Sequence, residues 1–107
     1  MLVLAVALVA GALPLALRAA KRSSELEAAR ITVRSAIPII EAYRADRGSY
    51  DGLTAQALTP YERDFPRDLA LGQVTPATYC LMATVGSQSA HFEGPAGEIT
   101  TGPCSAA

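Results

Sequence analysis

The side chains best able to do chemistry in this chain are its single histidine, His91, with Glu93 two positions on, and its two cysteines, Cys80 and Cys104. On a strand, residues two apart point from the same face, so His91 and Glu93 could share a metal ion or a proton. A metal site needs more ligands. Neither a second histidine nor a free cysteine stands near, so an ordinary exposed sheet position is expected and no metal is. Asp46, Asp51, Asp64 and Asp68 lack the alternating spacing of a calcium loop and suit caps and solvated loop ends. There is no GxSxG, no P-loop and no glycine-rich dinucleotide turn, and no Ser, His and Asp set extends beyond the lone His91. Neither enzymatic activity nor a cofactor is expected.

Cys80 and Cys104 allow one intramolecular connectivity. With no CxxC spacing and no histidine cluster, they read as a disulfide in an oxidising compartment, the alternative being two unpaired thiols in a cytosolic domain. A bridge would close a loop of about 25 residues and contribute roughly 3 to 4 kcal/mol on the chain-entropy model. Charge excludes another class. Nine basic and ten acidic residues leave a formal net charge of -1, too little field for binding driven by phosphate neutralisation, so nucleic acid is not expected as a partner. Arg18, Lys21, Arg22, Arg30 and Arg34 do gather on the first exposed turns, without interleaved aromatics. They read as a flank meeting lipid phosphates followed by solvated arginines, Glu27 pairing with Arg30.

The elements that position these groups begin with an uncharged run from Met1 to Leu17, MLVLAVALVAGALPLAL, whose roughly 17 residues lie at the short end of what spans a bilayer. Residues 1–22 are expected to form a membrane or filament-core helix with a basic flank, its apolar surface carried by Leu2, Val3, Leu4, Val6, Leu8, Val9, Leu13, Leu15 and Leu17. Pro14 is expected to kink it, in a turn that Gly11 already weakens. The basic flank alone would place the following domain in the cytoplasm, whereas a disulfide asks for the opposite side. Nothing basic precedes the apolar run, which leads to the expectation that the true start lies upstream of Met1. Ala10-Gly11-Ala12 keeps a second option open, a cleaved signal peptide releasing a secreted disulfide protein.

Residues 23–107 are expected to form the globular domain. Its helix, 23–47, would be capped by Ser23 or Ser24, with Glu25 and Glu27 at the positive dipole end. Leu26, Ala29, Val33, Ala36, Ile37, Ile40 and Tyr43 recur on one face. Gly48 would end the helix and Pro38 would kink it. A connector, 48–71, holds Tyr50, Leu53, Leu58, Tyr61 and Phe65 as pins to the helix, with Thr54 capping a short helix to Leu58. In 72–107 the pattern turns to strands at Gln73–Thr75, Thr78–Val85 and Ala90–Glu93, a three-stranded antiparallel meander. Along the middle strand Tyr79, Leu81, Ala83 and Val85 share one face and Cys80, Met82 and Thr84 the other. Gly94-Pro95-Ala96-Gly97 and Gly102-Pro103 would then loop Cys104 back.

This order of segments, with EAYRADRGSYDGLT after the helix, YCLMATVG on the middle strand and HFEGPAGEITTGPC at the end, resembles the type IV pilins and type II secretion pseudopilins. The likeness covers nearly the whole chain and is sharpest over Ala36 to Thr54 and Tyr79 to Cys104. It implies an α+β fold in which one long helix, apolar then amphipathic, packs on a small sheet. It also implies a non-enzymatic subunit, first held in membrane lipid as a single-pass protein with an extracytoplasmic C-terminal domain. The subunit would then join other pilin subunits through the assembly machinery of a pilus or secretion system, becoming part of an extracellular filament. The family's basic leader ending in Gly and its early Glu have no counterpart here. The alternative is a membrane-anchored extracytoplasmic binding domain that does not polymerise. Adhesion, motility, secretion and DNA uptake would be distinguished by exposed loops, here Gly86 to Ser89 and Gly94 to Gly102.

Overall fold

The structure is a computed structural model that describes residues 2–105, with side chains from residue 15 onward. One helix, α1, runs without interruption from Leu2–Arg47, 46 residues. At 1.5 Å per residue it is roughly 69 Å long, which matches the 70 Å long axis of the molecule. The apolar and amphipathic segments are therefore one element, and the expected cap at Ser23 or Ser24 is not there. Serine in a helix interior costs only a few tenths of a kcal/mol, so it cannot stop a helix whose neighbours on both sides propagate it. Pro38 does not stop it either. Pro38 and Arg34 are both exposed, so the carbonyl that loses its partner lies on the solvent side of the helix. The Pro14 side chain lies outside the described residues. The helix closes as expected: Gly48 takes a positive φ of 80° and its N–H bonds the Arg44 carbonyl at 2.7 Å.

The following segment crosses back over the end of the helix in a series of turns. Thr54 does accept a hydrogen bond from the Ala57 N–H at 3.0 Å, but it caps turns and not a helix. Pro60 and Pro66 leave too few consecutive donors for more. Of the expected pins, Tyr50, Leu53 and Leu58 are buried, and Tyr61 and Phe65 pack half-buried against them.

The sheet has four antiparallel strands in the order β1-β2-β3-β4: β1 Leu69–Val74, β2 Tyr79–Val85, β3 Gln88–Gly94 and β4 Ile99–Thr101. Three strands were expected, so this is a correction, with two causes. β1 starts at Leu69, inside the presumed connector, because Leu69, Ala70 and Leu71 pair with Ala83, Met82 and Leu81 before a shift of register between Leu71 and Val74. β4 is only three residues long and polar at Thr100 and Thr101. It has no period of its own to read and exists because Phe92, His91 and Ala90 offer it a ladder. The expected alternation on β2 holds. Tyr79, Leu81 and Ala83, with Ala90 and Phe92 from β3, meet Ala29, Val33, Ala36, Ile40 and Tyr43 from α1. Ala83 and Ala90 stand directly opposite one another. With Ala29 and Ala36 they present little bulk at the contact, which lets the helix backbone approach the sheet.

Candidate functional site

The core sits against the C-terminal half of α1, and the N-terminal part of the helix leaves the domain as an arm. From residue 15 to residue 24 every side chain is exposed, and burial sets in only at Glu25 and Leu26. Leu15 and Leu17 are 69% and 62% exposed. Of the apolar surface expected to carry membrane storage and assembly, these two are described. Leu2, Val3, Leu4, Val6, Leu8, Val9 and Leu13 have side chains outside the described residues. Among the described residues, no helix is long and apolar enough to cross a membrane. Ile31 is exposed at 55% on the uncovered face of the helix.

Three contacts fix the arm's base to the sheet. The Glu25 carboxylate accepts from the Ser87 N–H at 2.7 Å and the Ser87 hydroxyl at 3.2 Å. It thus caps the β2–β3 turn, where Gly86 has a φ of 59°, and is not a helix-start residue. Arg30 donates through Nη2 to the Thr101 hydroxyl on β4 at 3.2 Å, whereas a partner in Glu27 was expected. Its Nε is buried with no hydrogen-bond partner. No sequence spacing carries these pairings, since they join residues 62 and 71 positions apart.

At the other end, tyrosines fasten the crossing segment. The Tyr50 hydroxyl donates to the Glu41 carboxylate at 2.6 Å, Tyr43 to the Asp51 carbonyl at 2.6 Å, and Tyr61 to Asp46 at 2.6 Å. Burial, then the hydrogen bond to Glu41, pushes the Tyr50 phenol up to about 12. The Asp46 hydrogen bond raises that of Tyr61. The Tyr79 phenol is also raised, first by burial and then by the Glu41 charge, and its oxygen is buried without a partner. Tyr79 lies 4.9 Å from Tyr50 and 5.9 Å from Phe92, centroid to centroid. Arg47 stacks over Tyr43 at 4.8 Å and Arg44 over Tyr50 at 5.5 Å, a role in packing that charge patterning alone did not reveal.

On the outer face of the sheet Cys80 and Cys104 form the disulfide, with Cα atoms 6.1 Å apart. Gly72 lies beneath it: a Cβ there would meet Cys104 Cβ at 3.0 Å and Cys80 Cβ at 3.3 Å. The bridge thus ties the C-terminal tail, which leaves β4 and crosses β3, onto β2 beside Gly72 of β1. His91 is on the same face, and its Nδ1 is 2.9 Å from the Gly102 carbonyl. A carbonyl only accepts, so Nδ1 carries the proton and the ring holds the tail beside the disulfide. Glu93 is exposed two residues on. Among the described residues no group of three or more His, Cys, Asp or Glu side chains could hold a metal ion. Compared with known proteins, the chain matches no family model, no curated protein and no solved structure.

Proposed function

We propose that this chain is a non-enzymatic structural subunit of a type IV pilus or type II secretion pseudopilus, stored in a membrane and assembled into a filament through its N-terminal helix. The observation that carries the reading is the division of α1. In one unbroken helix of 46 residues, cover by the sheet begins at about Glu25, and the described residues before it, 15–24, are all exposed, Leu15 and Leu17 among them. Apolar side chains held in water cost about 25 cal/mol per Å², so such an arm asks for lipid or for other helices around it. In the sequence, the uncharged run 1–17 continues it. The rest of the domain serves that role as a rigid head, locked by the disulfide, the tyrosine staples and the Glu25 cap.

The test is photo-crosslinking in the native cells, with a photoreactive amino acid at Leu17, followed by shearing and membrane fractionation. A ladder of multiples of this chain, part of it released by shearing, is the expected result. Membrane-bound monomer without a ladder would overturn assembly and leave an anchored domain. Recovery in the soluble fraction would overturn anchoring as well.

A further inference from the structure

At the root of the arm, α1 and the tip of the β2–β3 hairpin enclose a cleft of about 560 Å³ lined by Leu15, Arg18, Lys21, Arg22, Gly86 and Ser87. The three cations fall on one side of the helix because residues at spacings of three, four and seven share a face. The single carboxylate in the cleft, Glu25, is already engaged by the Ser87 N–H and hydroxyl. Glu27 lies on another part of the helix surface, grouped with Ser23, Ser24 and Ile31. The cleft is therefore a concentration of positive charge in a chain whose formal net charge is -1. One of its walls is an exposed leucine at the end of the apolar run.

We propose that this cleft is a docking surface for anionic phospholipid headgroups, and that it sets the head on the membrane with the β2–β3 hairpin tip against the lipid surface. The inference rests on the membrane-stored reading above and adds to it a ligand and an orientation. Heights along the helix support it. If the hydrocarbon ends near Leu17, then at 1.5 Å per residue Arg18, Lys21 and Arg22 stand about 2, 6 and 8 Å above it. The headgroup layer on each side is roughly 5 to 8 Å thick, so all three cations fall within it or at its edge. Glu25 stands about 12 Å above the same boundary. Because it grips Ser87, the hairpin tip is held just outside the headgroups. The loop after β3, from Gly94 to Gly97, lies at the opposite end of the strands and is carried away from the membrane, beside the end of α1 where Tyr50 meets Glu41.

Charge complementarity fixes the choice of occupant. A lysine or arginine near an anionic surface strengthens binding about fivefold, so three give roughly a hundredfold preference over a neutral surface. That preference fades at high salt, where the screening length falls to about 3 Å. A second copy presenting this same surface would bring the same three cations to the cleft and be repelled from it, a restriction that staggered packing of the apolar segments does not meet.

The absence of tryptophan from the chain supplies a clean reporter. The full chain carrying Ser87→Trp keeps the backbone N–H that bonds Glu25, and Asp64→Trp on the distal turns serves as the control. Each is reconstituted in phosphatidylcholine vesicles with and without phosphatidylglycerol; flotation reads anchoring and tryptophan emission reads the hairpin. The expected result is flotation with both lipids, together with a blue shift and reduced acrylamide quenching of the Ser87→Trp signal only with phosphatidylglycerol. The shift should disappear in 1 M salt, as screening at about 3 Å requires. It should also vanish in the Arg18→Glu, Lys21→Glu, Arg22→Glu variant, with Asp64→Trp silent throughout. Flotation with both lipids but no lipid-dependent shift would overturn headgroup docking and leave anchoring intact. Flotation only with phosphatidylglycerol, abolished by the charge reversal, would uphold the cleft and overturn anchoring by the apolar run. A shift equal in both lipids, or equal at Asp64→Trp, would overturn the proposed cleft as its cause.

Discussion

Replacing Gly94 by alanine tests the packing on which the head depends, because the position looks permissive and is not. Gly94 ends β3 directly opposite Tyr79 on β2, and its φ is not positive, so no backbone strain opposes a side chain. The obstacle is the tyrosine itself. A Cβ at Gly94 would lie 2.3 Å from Tyr79 Cε1 and Cζ and 2.6 Å from its hydroxyl oxygen. The ring cannot swing away, since it is only 2% exposed and the Tyr50 ring is packed against it. Overpacking of this kind costs about 1 to 3 kcal/mol. Tyr79→Leu removes the three atoms the methyl would strike and keeps the strand face apolar. In that background Gly94→Ala should be neutral or stabilise by up to about 1 kcal/mol, because alanine narrows the unfolded ensemble. The coupling between the two sites is therefore about 1 to 4 kcal/mol, above the roughly 0.5 kcal/mol scatter of independent sites. Urea unfolding of the four chains in mild detergent, followed by circular dichroism, measures it. Equal costs of Gly94→Ala in both backgrounds would refute the contact.

Two further outcomes follow from the same head. Cys104→Ser should destabilise it by roughly 3 to 4 kcal/mol for a loop of this size, and reduction of the native chain should lower the melting temperature equally; an unchanged melt under oxidising conditions removes the bridge. At alkaline pH the buried phenols act against the fold. Both Tyr50 and Tyr79 have folded values above the ordinary 10.0. Their contribution is thus complete below pH 10 and is lost as pH rises through the folded values. Stability should fall by about 1.4 kcal/mol per pH unit for each tyrosine above pH 10. Tyr79→Phe, which also removes an unpaired buried hydroxyl, should take about 1.4 kcal/mol per pH unit off the slope between pH 10 and 12; the same urea midpoints against pH as the native chain would show that Tyr79 is not buried as described.

The tyrosine staples explain how so small a head can hold a long helix at one end. Its fully buried residues include three tyrosines, Tyr43, Tyr50 and Tyr79. They contribute area that smaller side chains would not, and two of them close hydrogen bonds that pin the crossing segment to the helix. At the other end Glu25 fixes the hairpin, so the direction of the arm relative to the sheet is set by contacts 62 residues apart in the chain.

The sequence by itself determined whatever is written as a period or as a count. The spacing of Ala29, Val33, Ala36, Ile40 and Tyr43 gave the buried helix face, and alternation on Tyr79–Val85 gave the inner and outer faces of the central strand. The presence of only two cysteines gave the pairing. Tertiary structure decided what depends on partners remote in the chain. Ser23 and Ser24 have the chemistry of a cap, but a helix already propagating through them overrides it. Ile99–Thr101 is β-branched throughout but too short to show an alternation, and it becomes β4 because β3 presents open donors and acceptors beside it. Glu25 and Arg30 look like solvated helix charges, and their partners on the hairpin and on β4 exist only once the sheet has closed over the helix. Local pattern is set by backbone geometry, which every residue carries with it. Long-range pairing is set by which surfaces are left facing each other after burial, and a linear sequence does not contain that distance.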